Sequence, residues 1–274
     1  MKDMVEYFVS QGYVRGESIR AAPYDFRFAP HSQVEYFNEL KNLIEDTSRR
    51  NNNKPVSIVS HSMGGLFGLH FLQSQDKDWL DRYISRFIPM NCPWIGATLQ
   101  LITYASGYNM DISVISPLVI REEQRSYETG VYLLPNPHKW ENLDQVLVHT
   151  PHRNYTVRNY PTFFNDIGYP QGQAMMDDVV NITRLEHPGV KTTCIYSVGV
   201  PTPVGLEYSD GFPDTQPTRI KGDGDGSVTV NSLAYCSRFL NNPGDRSMVF
   251  RGLDHGQILK TTEVLEFIKS QLVI

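Results

Sequence analysis

Between Gln33 and Arg50 the apolar residues Val34, Phe37, Leu40 and Ile44 return every three to four positions with polar residues between them. That period is the one-sided face of an amphipathic helix, and Ser32 followed three residues later by Glu35 has the form of a capping box at its start. "NNNKP" breaks the pattern, after which Val56, Ile58 and Val59 read as a buried strand. This strand meets the glycine pair of "VSIVSHSMGGLFGL" with no intervening loop. The apolar stretch beyond Ser62 predicts a helix to about Ser74, and a second strand-like run, "RFIPMN", begins at Arg86.

The alternation returns late, with "TTCIYSV" from Thr192, "SMVFRGL" from Ser247 and a closing helix in which Val264, Ile268 and Leu272 are spaced by four. Strands alternating with helices predict an α/β fold with a doubly wound, mostly parallel sheet. From about Thr98 to Asn165 lies a stretch rich in Tyr, Pro, Asn and His with no clean period. It reads as an inserted cap, which divides the chain into a core of residues 1–97 and 166–274 and a cap insertion of residues 98–165. The N-terminal "DMVEYFVSQ" reads as a helix followed by a turn.

Composition narrows the partners. The 274 residues are 40% hydrophobic and 20% charged, as in an ordinary globular protein. A net charge of -5 with no Lys/Arg-rich block argues against nucleic acid as a partner. No apolar run approaches the roughly 18–20 residues that span a bilayer. The start, "MKDMVEYFVSQGY", has acids and a glutamine where a signal peptide carries its apolar segment. The expectation is therefore either a cytosolic chain or one whose N-terminal part is absent. Two sequons, at Asn154 and Asn181, are glycosylation acceptors only in a secretory compartment.

The strand-to-helix joint carries the chemistry. A serine hydroxyl is a poor nucleophile unless an adjacent histidine takes its proton and a carboxylate fixes that histidine's tautomer. A sharp turn after a strand presents such a serine above a sheet, and it calls for small residues two before and two after it. Here these are Ser60 and Gly64 around Ser62, an S-x-S-x-G variant of the usual pattern. In this topology the acid follows the serine and the histidine comes last. Downstream, "GDGDGSVTV" places Asp225 as the expected acid, with Asp223 the alternative whose other role is to bond turn amides. Only His255 follows them, between the "SMVFRGL" strand and the last helix. The other seven histidines (His31, His61, His70, His138, His149, His152 and His187) read as surface or cap residues. The amide of Met63, next after the nucleophile, is the expected first oxyanion donor, and a second should come from a loop after an earlier strand.

Taken together, "GYVRGESIRAAPYDFRFAP", "SHSMGG", "PWIGA", "ISPLVIREEQRS", "TVRNYPTFFNDIGY", "GVPTP" and "GDGDGSVTVNSLAYC" resemble the lysosomal phospholipase branch of the lecithin:cholesterol acyltransferase family, from about Met4 to the C-terminus. The resemblance implies an α/β-hydrolase core and places the family's nucleophile, acid and base on Ser62, Asp225 and His255. It implies a disulfide between Cys194 and Cys236, a free buried thiol at Cys92, and glycosylation at Asn154. The implied setting is lysosomal or secreted, with an oxidising lumen. The implied reaction is attack by Ser62 on a glycerophospholipid ester at a membrane or lipoprotein surface, then transfer of the acyl group to water or a lipid alcohol. No cofactor and no metal are called for.

Family members carry a further N-terminal region with a first strand, an oxyanion loop, a lid and a membrane-touching surface. Here only about twenty residues precede "APYDFR", so these parts are expected to be missing, and with them the second oxyanion donor. Two readings follow: an acyl-transfer enzyme whose N-terminus is truncated, or a chain complete as written that is a lipid-binding pseudoenzyme. Intact Ser62, Asp225 and His255 favour the first, since a binder has no physical need of all three.

Overall fold

A computed structural model of the chain describes residues 1–112 and 114–272. In chain order its elements are α1 (Lys2–Ser10), α2 (Val34–Arg50), β1 (Val56–His61), α3 (Met63–Gln73), α4 (Lys77–Tyr83), β2 (Ile84–Met90), α5 (Gln100–Ala105), α6 (Pro117–Arg125) and α7 (Glu128–Tyr132). There follow β3 (Val148–His149), β4 (Asn154–Tyr155), α8 (Tyr160–Asp166), α9 (Gln171–Val179), β5 (Thr193–Val198), β6 (Thr202–Glu207), β7 (Thr218–Gly222), α10 (Val230–Leu233), β8 (Arg246–Arg251) and α11 (Thr262–Gln271).

The four strands expected from the apolar runs form one sheet in the order β1-β2-β5-β8, and every pair is parallel. Parallel neighbours need crossovers, so helices cover both faces. Successive side chains of β2 show the two sides. Phe87 packs into a core with Leu66, Phe71 and Leu72 of α3 and Ile44 of α2. Ile88 and Met90 join Met4 and Phe8 of α1 and Val264, Leu265 and Ile268 of α11. This is the α/β architecture that the sequence predicts. Among the described residues no strand precedes β1.

Two local expectations are corrected. Ser32 does not cap α2, whose first flanking residue is Gln33 with no side-chain cap. The Ser32 hydroxyl instead donates to Glu128 at 3.0 Å, and the same carboxylate accepts the Ala29 amide at 2.8 Å. A tertiary acceptor has displaced the local one. Val34, counted on the apolar face, is 66% exposed, and the buried face of α2 is centred on Ile44.

A second sheet, in the order β4-β3-β6-β7, joins strands from within residues 98–165 to a hairpin at residues 202–222. The core that begins under α3 continues without a break to Leu101, Tyr104, Phe163 and Phe164. Arg125, buried among these elements, donates to the carbonyls of Tyr104, Ala105 and Ile167. It thereby satisfies the orphan acceptors at the end of α5, which a helix C-terminus leaves without intrahelical partners.

Candidate active site

Ser62 lies between β1 and α3 with φ 55° and ψ -131°, a conformation that a non-glycine residue adopts only when its surroundings enforce it. Those surroundings are on both sides of it. Its N–H donates to the Met90 carbonyl of β2 at 2.8 Å, and its own carbonyl accepts from Gly65 at 2.9 Å. The turn is tight because α3 lies close on β2. A Cβ added at Gly65 would stand 2.6 Å from Cys92 Sγ, and one at Gly68 would stand 2.7 Å from the Phe87 ring. At Gly64 an added Cβ would come no nearer than 3.7 Å to any neighbour, the nearest being Ser60 Cβ and Tyr24 Oη, which is ordinary contact. The steric demand expected at Gly64 therefore falls one residue later, where α3 meets Cys92. Ser60 fits at its position, although its buried hydroxyl has no hydrogen-bond partner.

Asp225 is fully buried in a turn fixed from several directions. Its Oδ1 accepts the amides of Ser227 at 2.9 Å and Val228 at 2.7 Å, closing the turn on itself. The loop is held to the end of β5 and the start of β6 by Val200 N–H to the Gly224 carbonyl and by Gly226 N–H to Thr202 Oγ1. Gly224 permits the closeness, since a Cβ there would stand 2.2 Å from the Val228 carbonyl oxygen. The loop is also bracketed by the disulfide Cys194–Cys236, which closes 42 residues around it. Cys92, the third cysteine, is free and buried, and burial pushes its thiol well up.

His255 sits on the short turn after β8. Asp254 shapes that turn by accepting the amides of Gly256 and Gln257 on Oδ1, at 2.9 and 2.7 Å. From there the imidazole reaches both partners. Nδ1 is 2.6 Å from Asp225 Oδ2, and Nε2 is 2.9 Å from Ser62 Oγ. The carboxylate can only accept, so Nδ1 carries the hydrogen and Nε2 is free to take a proton from the serine. Asp223 is exposed and turned away, accepting the Gly199 amide at 2.6 Å. Three residues separated by up to 193 positions thus make one continuous hydrogen-bonded chain.

Met63 opens α3, an 11-residue helix, so its amide belongs to the first turn, where amides lack intrahelical acceptors. Asn154 in β4 and Asn181 after α9 are exposed. Among the described residues no cluster of three or more His, Cys, Asp or Glu side chains is placed to hold a metal ion.

One reading of the histidines is corrected. His61 is neither cap nor free surface: it ends β1, and its ring centroid is 4.7 Å from that of His255. Its place immediately before Ser62, inside the motif, was the available signal.

The lecithin:cholesterol acyltransferase family model matches residues 1–186 and 181–271. The chain is 40% identical over 273 residues to lysosomal phospholipase A and acyltransferase of Mus musculus, covering 98% of this chain and 66% of the relative. It is 36% identical over 274 residues to the phosphatidylcholine-sterol acyltransferase of the same species, covering 98% of this chain and 62% of that protein. With lecithin-cholesterol acyltransferase-like 1 of Arabidopsis thaliana it shares 40% identity over 272 residues, 96% of this chain and 62% of the relative. The chain thus spans somewhat under two thirds of the length of these curated relatives. With matches running through both halves of the α/β core, this chain belongs to the lecithin:cholesterol acyltransferase family.

Proposed function

We propose that the chain is a serine acyl hydrolase and O-acyltransferase acting on glycerophospholipid esters through an acyl-enzyme. The observation that carries this is the His255 ring, within hydrogen-bonding distance of Ser62 through one nitrogen and of Asp225 through the other. His255 Nε2 takes the Ser62 hydroxyl proton as Oγ bonds to the ester carbonyl carbon. The carbonyl electrons move onto its oxygen, which the Met63 amide stabilises. Asp225 supports the imidazolium that forms. The tetrahedral intermediate then collapses with the proton passing from His255 to the departing alcohol oxygen, leaving lysophospholipid and acylated Ser62. A water or lipid hydroxyl, deprotonated by His255, repeats the cycle in reverse and frees the serine.

Residues 98–165 are read as the cap, extended by the β6–β7 hairpin that completes its sheet, and as the acyl-binding side of the site. The disulfide and the exposed Asn154 sequon support an oxidising lumenal or extracellular setting. The phosphatidylcholine-sterol acyltransferase relative favours a sterol as one acceptor to test beside water, diacylglycerol and ceramide. Phosphatidylcholine vesicles incubated with the chain are expected to release fatty acid and lysolipid, with an added lipid alcohol diverting the acyl group into a new ester. Release no greater than that of Ser62→Ala, by folded protein that still binds the vesicles, would instead make the chain a lipid-binding pseudoenzyme.

A further inference from the structure

The carbonyl of His255, and not only its ring, is held. His61 Nε2 lies 2.7 Å from that carbonyl oxygen, and an oxygen of this kind can only accept, so His61 Nε2 carries the hydrogen. Asn91, just past β2, brings its Nδ2 to 3.5 Å from the same oxygen. The Asn91 side chain is itself fixed, its Oδ1 accepting the Ser197 amide of β5 at 2.8 Å. The ends of β1 and β2 thus meet at the backbone carbonyl of the base, with β5 bracing Asn91, while the neighbours Asp254 and Gly256 are exposed.

We propose that His61 is a positioning residue for this site. Its Nε2–H, donated to the His255 carbonyl, ties the residue before the nucleophile directly to the backbone of the residue that activates it. The inference rests on the reading of Ser62 and His255 as nucleophile and base. Besides His61 and Asn91, the turn that bears His255 is held by local bonds of Asp254 and Gln257, by the Leu259 amide on the Gly256 carbonyl, and by the ring's own bonds to Asp225 and Ser62. A shift of the ring along that turn would lengthen the bond to Ser62 Oγ while leaving the substrate surface untouched. The effect therefore belongs in turnover and not in KM. His61 is also suited to lie against a base that becomes charged. Burial foremost, with His255 adding to it, lowers its pKa to about 4, so at neutral pH it places no second positive charge beside the imidazolium.

The test compares His61→Phe, which fills the space and cannot donate, with His61→Gln, which restores an N–H. Three quantities are read on each: thermal unfolding, the rate at which a fluorophosphonate modifies Ser62, and the deshielded proton resonance of the His255–Asp225 bond. Displacement of a reacting group by about 1 Å costs on the order of 100-fold. His61→Phe is therefore expected to slow modification by about that factor with the chain still folded, and to broaden the shared-proton resonance. Glutamine is expected to recover most of both. The tether is overturned if folded His61→Phe matches wild type in rate and resonance, or if glutamine and phenylalanine lose both equally. If phenylalanine does not fold, His61→Met takes its place; if neither folds, a fall of about 100-fold in His61→Gln alone overturns it. If folded wild type is not modified at all, the reading of Ser62 fails, and the resonance still decides the tether, since it requires no reaction.

Discussion

Asp225→Asn is expected to lower turnover by about 10,000-fold while leaving the fold in place. The amide is nearly isosteric, and its oxygen can keep the Ser227 and Val228 amides that Asp225 Oδ1 holds at 2.9 and 2.7 Å. What changes is the atom facing His255. An NH2 where Oδ2 stands 2.6 Å from Nδ1 can only donate, so Nδ1 must accept and the ring hydrogen moves to Nε2. That nitrogen then has no lone pair for the Ser62 proton. Asp223→Asn leaves the ring untouched, since its carboxylate bonds the Gly199 amide, and is expected to retain turnover. Steady-state hydrolysis of phosphatidylcholine by the two variants checks the contrast. Turnover retained in Asp225→Asn as in Asp223→Asn would mean that Asp225 acts only as a turn former.

The second large effect concerns stability. Removing the disulfide as Cys194→Ala/Cys236→Ala opens a 42-residue loop, which corresponds in chain-entropy terms to about 4 kcal/mol. For a domain of this size that is a fall in Tm of roughly 10 °C. Reactivity of Ser62 well below the new Tm should persist, because the Asp225 turn is independently fixed by Val200 and Thr202. Calorimetry of the double variant beside its labelling rate separates the two effects. An unchanged Tm, or a folded variant that has lost labelling, would contradict this division of roles.

The central sheet was legible because its strands hold apolar runs bounded by breakers; β2 and β5 are largely buried, while β1 and β8, at its two edges, are half-buried and mostly exposed and stand out by their apolar runs alone. Chain order then picked out Ser62, Asp225 and His255, and the geometry separates Asp225 from Asp223, which the motif alone could not. The second sheet was not legible: β3 and β4 are two residues each, and β6, "TPVGLE", contains a proline and a glycine that weaken a strand reading. The capping box at Ser32 failed for the opposite reason. Its local pattern was sound, but Glu128, 96 positions away, offered the hydroxyl another acceptor. His61 escapes a reading by chain order, which selects only a histidine after the acid, and its place immediately before Ser62 is the one signal that the motif offers.

The most direct test of the account is covalent. The folded chain and its Ser62→Ala variant are treated with a fluorophosphonate ester and analysed by intact and peptide mass spectrometry. One adduct is expected, on the peptide bearing Ser62, and none on Ser62→Ala. A folded chain that takes up no adduct, or one that persists in Ser62→Ala, would contradict the account.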